Sequence, residues 1–214
     1  MKSIYMTNNL VFGPKVERIS LLIHKSMPML DFTIWDMAPL IPSMHNWRKN
    51  MIFIECDKAA VDSVMELLAP KFPNANIYAG TRKPSLKINR AVAGETIVIV
   101  SRTPKAKEPG NGVLAVPIEK CLVDLLYYAR KQIIPLSLDD VLDLWEQCLE
   151  EREGRLPKVA FSELYRYSMR RYLGWFVSIF AYEMSKKMKV VADPRHLAAG
   201  RANLELIRKV ESHG

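Results

Sequence analysis

One block of this chain limits its fold more than any other: "MIFIECDKAAVDSVMELLAPKFPNANIYAG", residues 51–80. A short continuous apolar run ends in acids. It gives way to Val61, Val64, Leu67 and Leu68 at helical spacing, and a second short apolar run follows after Pro and Asn. Strand, helix, strand in that order predicts an α/β unit. Further strands are expected at "DFTIWDM" from Asp31, at "ETIVIVSR" from Glu95 and at "GVLAV" from Gly112.

From residue 113 onward the texture changes. Pro117 suits a first helical position, and Cys121, Leu122, Leu125, Leu126 and Ala129 then mark one apolar face. Ser137 reads as the N-cap of a following helix, with Asp139 and Asp140 in its first turn. Two or three more helices are expected, over residues 158–173, 175–188 and 195–211. The fold expected is α/β: a mixed sheet with flanking helices, followed by a helical C-terminal lobe. Residues 1–30 form a linker segment and helix, 31–116 the α/β subdomain, and 117–214 the helical lobe packed on it. The Pro- and Gly-containing stretch 101–112 separates the two textures.

With 214 residues, 49% of them hydrophobic, the chain can bury a core without staples. Its three cysteines, Cys56, Cys121 and Cys148, are an odd number without C-x-x-C spacing, so reduced thiols in a cytoplasmic protein are expected. The N-terminus lacks the apolar run of a signal peptide, and no segment offers about 20 uninterrupted apolar residues for a membrane span. No phosphate-cradling G-x-x-x-x-G-K or G-x-G-x-x-G occurs, which excludes the common nucleotide-binding enzymes.

The net charge of +8 points to an acidic partner, nucleic acid first, and the positive charge is blocky. Residues 71–112 hold 8 basic against 2 acidic side chains, and residues 151–214 hold 13 against 7. Within the first block, "GTRKPSLKINR" offers Arg82, Lys83, Lys87 and Arg90. Within the second, "FSELYRYSMRRYLGWF" offers Arg166, Arg170 and Arg171 among aromatic residues. An arginine fork can hold two phosphate oxygens at once, so DNA or RNA contact through these seven residues is one reading. The other is an amphipathic helix whose rings are buried and whose charges are solvated or ion-paired.

Two acidic groups need weighing as well. Asp31, Asp36, Glu55 and Asp57 sit at strand ends, where a metal-dependent nuclease would place its acids. Lys58, however, is three residues after Glu55, and a strand of period two then turns it away from Glu55, which favours ordinary strand-end and cap roles. Asp139, Asp143, Glu146 and Glu150 line one face of a helix, either solvated or docked on a basic surface. No catalytic residue, metal or cofactor is expected.

Taken in order, "FTIWDMAPL", "MIFIECDKAAVDSVMELL", "IVIVSRTP", "VPIEKCLVDLL" and "LYRYSMRRYLG" resemble the C-terminal domain of AbiEi-type antitoxins, over about residues 12–174. The most characteristic pieces are Pro117, Glu119, Lys120, Leu122, Val123 and Asp124 at a helix start, and Tyr167, Arg170 and Arg171 at a helix end. The resemblance implies a non-enzymatic transcriptional regulator of a type IV toxin–antitoxin system, functionally linked to a nucleotidyltransferase toxin. Such antitoxins usually carry a winged helix ahead of this region. Here about 30 residues precede the first strand, too few for three helices and a wing. The expectation is a fragment, a shortened gene product or a stand-alone effector domain, with a homodimer as one arrangement. Within the Tyr-x-x-Arg-Arg motif, a buried Tyr167 and an arginine paired to an acid such as Asp124 compete with phosphate binding.

Overall fold

The computed structural model describes residues 13–41, 50–79, 95–102, 116–134, 136–149, 159–187 and 192–211. Four strands, β1 (Phe32–Asp36), β2 (Met51–Cys56), β3 (Asn76–Ala79) and β4 (Thr96–Ser101), form one sheet in the order β1-β2-β4-β3. The sheet is mixed: β1 runs antiparallel to β2, whereas β2, β4 and β3 are parallel. Helix α1 (Pro14–Ser26) precedes β1, and α2 (Val61–Leu68) links β2 to β3 after a 3-10 turn at Lys58–Ala60. Ala69 still has helical backbone, but Pro70 after it has no N–H to continue the hydrogen-bond ladder, which helps to end α2. The strand expected at "GVLAV" falls almost wholly outside the described residues.

Every residue of β1 and β2 is buried, because the sheet is covered on both sides. The period of two sorts their side chains cleanly. Phe32, Ile34, Ile52, Ile54, Cys56, Ile97 and Ile99 share a core with Val16, Ile19 and Ile23 of α1 and Val61, Val64 and Leu68 of α2. Trp35, Met51, Phe53, Val98 and Val100 face the other way, into a core with α3 (Ile118–Arg130) and the helices that follow it.

Helix α3 is the inner helix of this second layer, buried over nearly its whole length. Pro117 is its N-cap, one position ahead of the first helical position expected for it. Helix α4 (Leu138–Leu149) starts with a capping box: the Ser137 hydroxyl accepts the Asp140 N–H at 3.0 Å, while the Asp140 carboxylate accepts the Ser137 N–H at 3.0 Å. The buried Trp145 indole then donates to the Leu122 carbonyl at 3.2 Å, tying α4 to α3. Helices α5 (Phe161–Arg170), α6 (Gly174–Lys187) and α7 (Pro194–Glu211) complete the helical region.

Helix α7 buries only Gly200 fully among the side chains described for it, and it packs on α6. A Cβ at Gly200 would overlap the backbone carbonyl of Ser178, so the two helices approach as closely as they do only because position 200 has no side chain. Gly200→Ala is expected to cost about 1–3 kcal/mol of α6–α7 packing. Limited proteolysis should then cut within α7 while the melting of the remaining core changes little.

Candidate functional site

The most unusual chemistry among the described residues lies between the sheet and α3, where two acids and two bases are buried together. Glu55 is the third side chain of β2 that faces α3, after Met51 and Phe53, so strand periodicity alone delivers a carboxylate into an apolar layer. It is 1% exposed and cannot remain charged there without partners. One of its oxygens, Oε1, accepts Lys120 Nζ at 2.7 Å, Tyr128 OH at 3.2 Å and Trp35 Nε1 at 3.3 Å. Trp35 reaches it diagonally across the antiparallel pair, since Thr33 is the residue directly opposite Glu55.

Lys120 also donates to Asp124 Oδ2 at 2.5 Å, one helical turn along α3. The second carboxylate oxygen of Asp124 accepts Arg171 Nε at 2.7 Å. Arg171 arrives from the turn after α5, donates to Tyr128 OH at 3.3 Å and lies 3.9 Å from Glu55 Oε2. Its guanidinium stands 4.6 Å and 5.4 Å from the ring centroids of Tyr127 and Tyr128. Below it the rings of Trp35, Phe53 and Tyr128 stack at centroid distances of 4.2 and 5.4 Å, so β1, β2 and α3 share one aromatic column.

Two carboxylates thus face two cations, and the group is formally neutral. Burial by itself would raise the Glu55 pKa; the Lys120 and Arg171 charges and the Lys120 hydrogen bond override it and hold it down at about 2. Burial opposes the charge on Arg171, and Asp124 beside it more than compensates, so the guanidinium holds its proton even more tightly than usual. A single motif supplies much of this. Of the run Pro-x-Glu-Lys-x-Leu-Val-Asp, Lys120 and Asp124 make the network, while Glu119 Oε1 accepts the Ala160 N–H at 2.8 Å and so fixes the start of α5. The pairing expected between an arginine of the Tyr-x-x-Arg-Arg motif and Asp124 is therefore present, and the arginine is Arg171. Tyr167 is buried, as that reading requires.

This corrects the placement of Arg171 among nucleic-acid or partner contacts. Its side chain is 9% exposed and committed to Asp124 and two tyrosine rings. Arg166 and Arg170 stay on the outer side of α5, over the ring of Tyr167 at 4.9 and 5.1 Å. Arg166 also pairs with Glu163, an exposed contact worth at most about 1 kcal/mol, which a phosphate could replace. Arg82, Lys83, Lys87 and Arg90 lie outside the described residues.

The acids of the nuclease reading do not assemble. Asp36 lies three register positions from Glu55, about 10 Å along the sheet. It also has the parity of Ile34 and so faces α1, opposite to Glu55. There its carboxyl, pushed up in pKa by burial, accepts Asn50 Nδ2 at 3.2 Å and the Gly13 N–H at the start of α1. Asp57 is exposed at the start of the 3-10 turn. Asp31 pairs with Arg102, whose Nη2 meets Asp31 Oδ1 at 3.2 Å and Thr33 Oγ1 at 3.3 Å. No group of three or more His, Cys, Asp or Glu among the described residues is arranged to hold a metal ion. Of the acidic row on α4, Glu146 docks on Lys187 at the end of α6 at 3.0 Å, and Glu150 lies outside the described residues. All three cysteines are buried and in no disulfide, and burial pushes the Cys56 thiol up to about 11 and the Cys148 thiol up to about 12, which makes those two poor nucleophiles.

A family model matches residues 4–183. The chain belongs to DUF6577, a family of unknown function. The DUF6577 match takes in the sheet, the charge network and α5, and most of α6, while α7 lies beyond it. No curated protein and no solved structure matches the chain. No helix among the described residues is long and apolar enough to cross a membrane.

Sequence reasoning missed Trp35, Tyr128, Tyr127 and Arg130. The first three look like ordinary core aromatics until the fold brings them to Glu55 and Arg171. Arg130, at the end of α3, stands 5.4 Å from the ring of the half-exposed Trp175.

Arg171→Ala leaves Asp124 buried with one cation fewer. The expected cost is about 3–5 kcal/mol in urea unfolding, whereas replacing the cluster together by apolar side chains of similar volume is expected to cost far less. Glu55 carries an acid signature as well. Its native pKa of about 2 lies below its ordinary 4.5, so its contribution is complete above the ordinary value and is lost as pH falls from about 4.5 towards about 2. In Glu55→Gln that part of the acid-induced loss should vanish from a pH series of denaturation midpoints.

Proposed function

We propose that this protein is a cytoplasmic, non-enzymatic regulator of the antitoxin kind, similar to the effector half of AbiEi-type antitoxins, which touches the phosphate backbone of nucleic acid through a basic rim. The observation that carries this reading is the division of labour within one motif. Arg171 is withdrawn into the core, while Arg166, 53% exposed, and Arg170 remain at the surface of α5. Exposed Arg130 and Lys131 end α3, and α3 and α5 close their C-terminal ends beside each other, since Arg171 meets Tyr127 and Tyr128 there. Arg82, Lys83, Lys87 and Arg90 add four cations of the same kind from the sequence.

The antitoxin part of the reading is supported by the two motifs that carry the AbiEi resemblance, since they bind each other through Asp124 and Arg171. The non-enzymatic part is supported by the failure of Asp36, Glu55 and Asp57 to converge. Three buried cysteines in no disulfide suit the reducing cytoplasm.

Fluorescence anisotropy with labelled oligonucleotides tests the contact. Binding should fall steeply with salt, and Arg166→Glu should weaken it several-fold and flatten the salt slope by about 1 without changing the melting temperature. No binding even at low ionic strength would refute the phosphate reading and leave a protein-interaction module. Co-expression with an AbiE-type nucleotidyltransferase toxin tests the rest: restored growth is expected, and unrelieved toxicity removes the antitoxin assignment.

A further inference from the structure

Helices α3 and α5 stop in the same way. After α5 the Leu173 N–H donates to the Ser168 carbonyl at 2.8 Å and the Tyr172 N–H to the Met169 carbonyl at 3.3 Å; after α3 the Ile133 N–H donates to Tyr128 at 2.8 Å and the Gln132 N–H to Ala129 at 2.9 Å. Both are Schellman endings, in which the residue past the cap adopts left-handed backbone and is usually glycine. Here those residues are Tyr172, at φ 57°, and Gln132, at φ 55°. A bulky aromatic in that conformation is strained, and Tyr172 gains little packing in return, because it is 78% exposed. Strain held at an exposed aromatic points to a use outside the fold.

Three residues on, Trp175 is 41% exposed, with the Arg130 guanidinium over its ring. Met169, 54% exposed, lies on the same turn. Arg130 is the cation seen over Trp175, Lys131 follows it in sequence, and Arg170 precedes Tyr172 by two positions. The only acid in α5 is Glu163, which pairs with Arg166. The face interleaves cations with flat rings, and the excess of 13 basic over 7 acidic side chains in residues 151–214 favours an anionic occupant. Stacking platforms flanked by cations are what an unpaired nucleic-acid strand requires, since every base has a π-face and every nucleotide a phosphate.

We infer that Tyr172 and Trp175 are stacking platforms for unpaired bases, so that the preferred ligand of the rim is single-stranded nucleic acid. This rests on the phosphate contact proposed above and adds to it the strand state of the ligand. Duplex DNA hides its base faces and would engage the arginines alone.

The test compares three probes: oligo-dT of about 12 nucleotides, an abasic oligomer of the same length and charge, and a duplex of the same length, which carries about twice the charge. Oligo-dT should bind roughly tenfold or more tightly than the abasic oligomer, and Trp175→Ala or Tyr172→Ala should each remove most of that difference. Trp175→Phe should keep much of it, which separates stacking from a general disturbance of the surface. Both side chains are exposed, so thermal melting should show folded variants; Tyr172→Gly, which relieves the backbone, serves as a second variant and should melt no lower while losing the preference. Equal affinity for oligo-dT and the abasic oligomer overturns the stacking proposal and leaves the phosphate contact standing. Binding of none of the three at low salt overturns both.

Discussion

Glu55 is where the chain's organisation converges. A carboxylate that strand periodicity forces into an apolar layer must be neutralised and hydrogen-bonded, and its partners come from different parts of the sequence: Lys120 from α3, Tyr128 two turns further along the same face of α3, Trp35 from β1 and, through Asp124, Arg171 from the end of α5. Each acts as a positional constraint. Sheet and helices cannot slide relative to one another without leaving a charge buried and unpaired, a penalty comparable to a large part of a domain's net stability. An apolar layer of the same volume would hold as firmly but would accept several registers. The ion network, through its fixed donors and acceptors, accepts one. We read the network as a device for specificity of packing, with Glu119 extending it to the start of α5.

This has a consequence for the outer surface. Because Arg171 turns inward, the chain after α5 reverses sharply, and Tyr172 takes left-handed backbone with its ring in solvent. Core and surface are therefore set by adjacent residues of one motif: Arg171 closes the interior, and Arg170 and Tyr172 on either side of it shape the rim. The basic and aromatic character of that rim is a product of how the core is locked, and it gives the proposed regulator a rigid contact surface on helix ends rather than on a loop.

Most of the architecture was legible in the sequence. The short apolar runs at 51–56 and 96–101 and the apolar stripe at Val61, Val64 and Leu68 gave the strands, α2 and the α/β class, since run length and helical spacing are local signals. Ser137 announced the start of α4 through cap chemistry that involves only its neighbours. The candidate site was legible in part. Asp124 and an arginine of the Tyr-x-x-Arg-Arg motif were recognisable as a pair, but not which arginine, because Arg170 and Arg171 differ only by the direction in which the helix end turns. Glu55 looked like a strand-end acid, since nothing in "ECDK" reveals that the layer above it brings a lysine.

The sequence by itself determined what was local: the kinds of elements, their order, their caps and the amounts of charge. Only the tertiary structure decided the pairing of Glu55 with a lysine 65 residues away, the inward turn of Arg171, the separation of Asp36 from Glu55 on opposite faces of the sheet, and the exposure of Tyr172 and Trp175. The physical reason is the same in each case. Whether a charge or a ring is buried, and what it meets there, depends on which elements cover its face of the sheet or helix, and residues distant in sequence provide that cover.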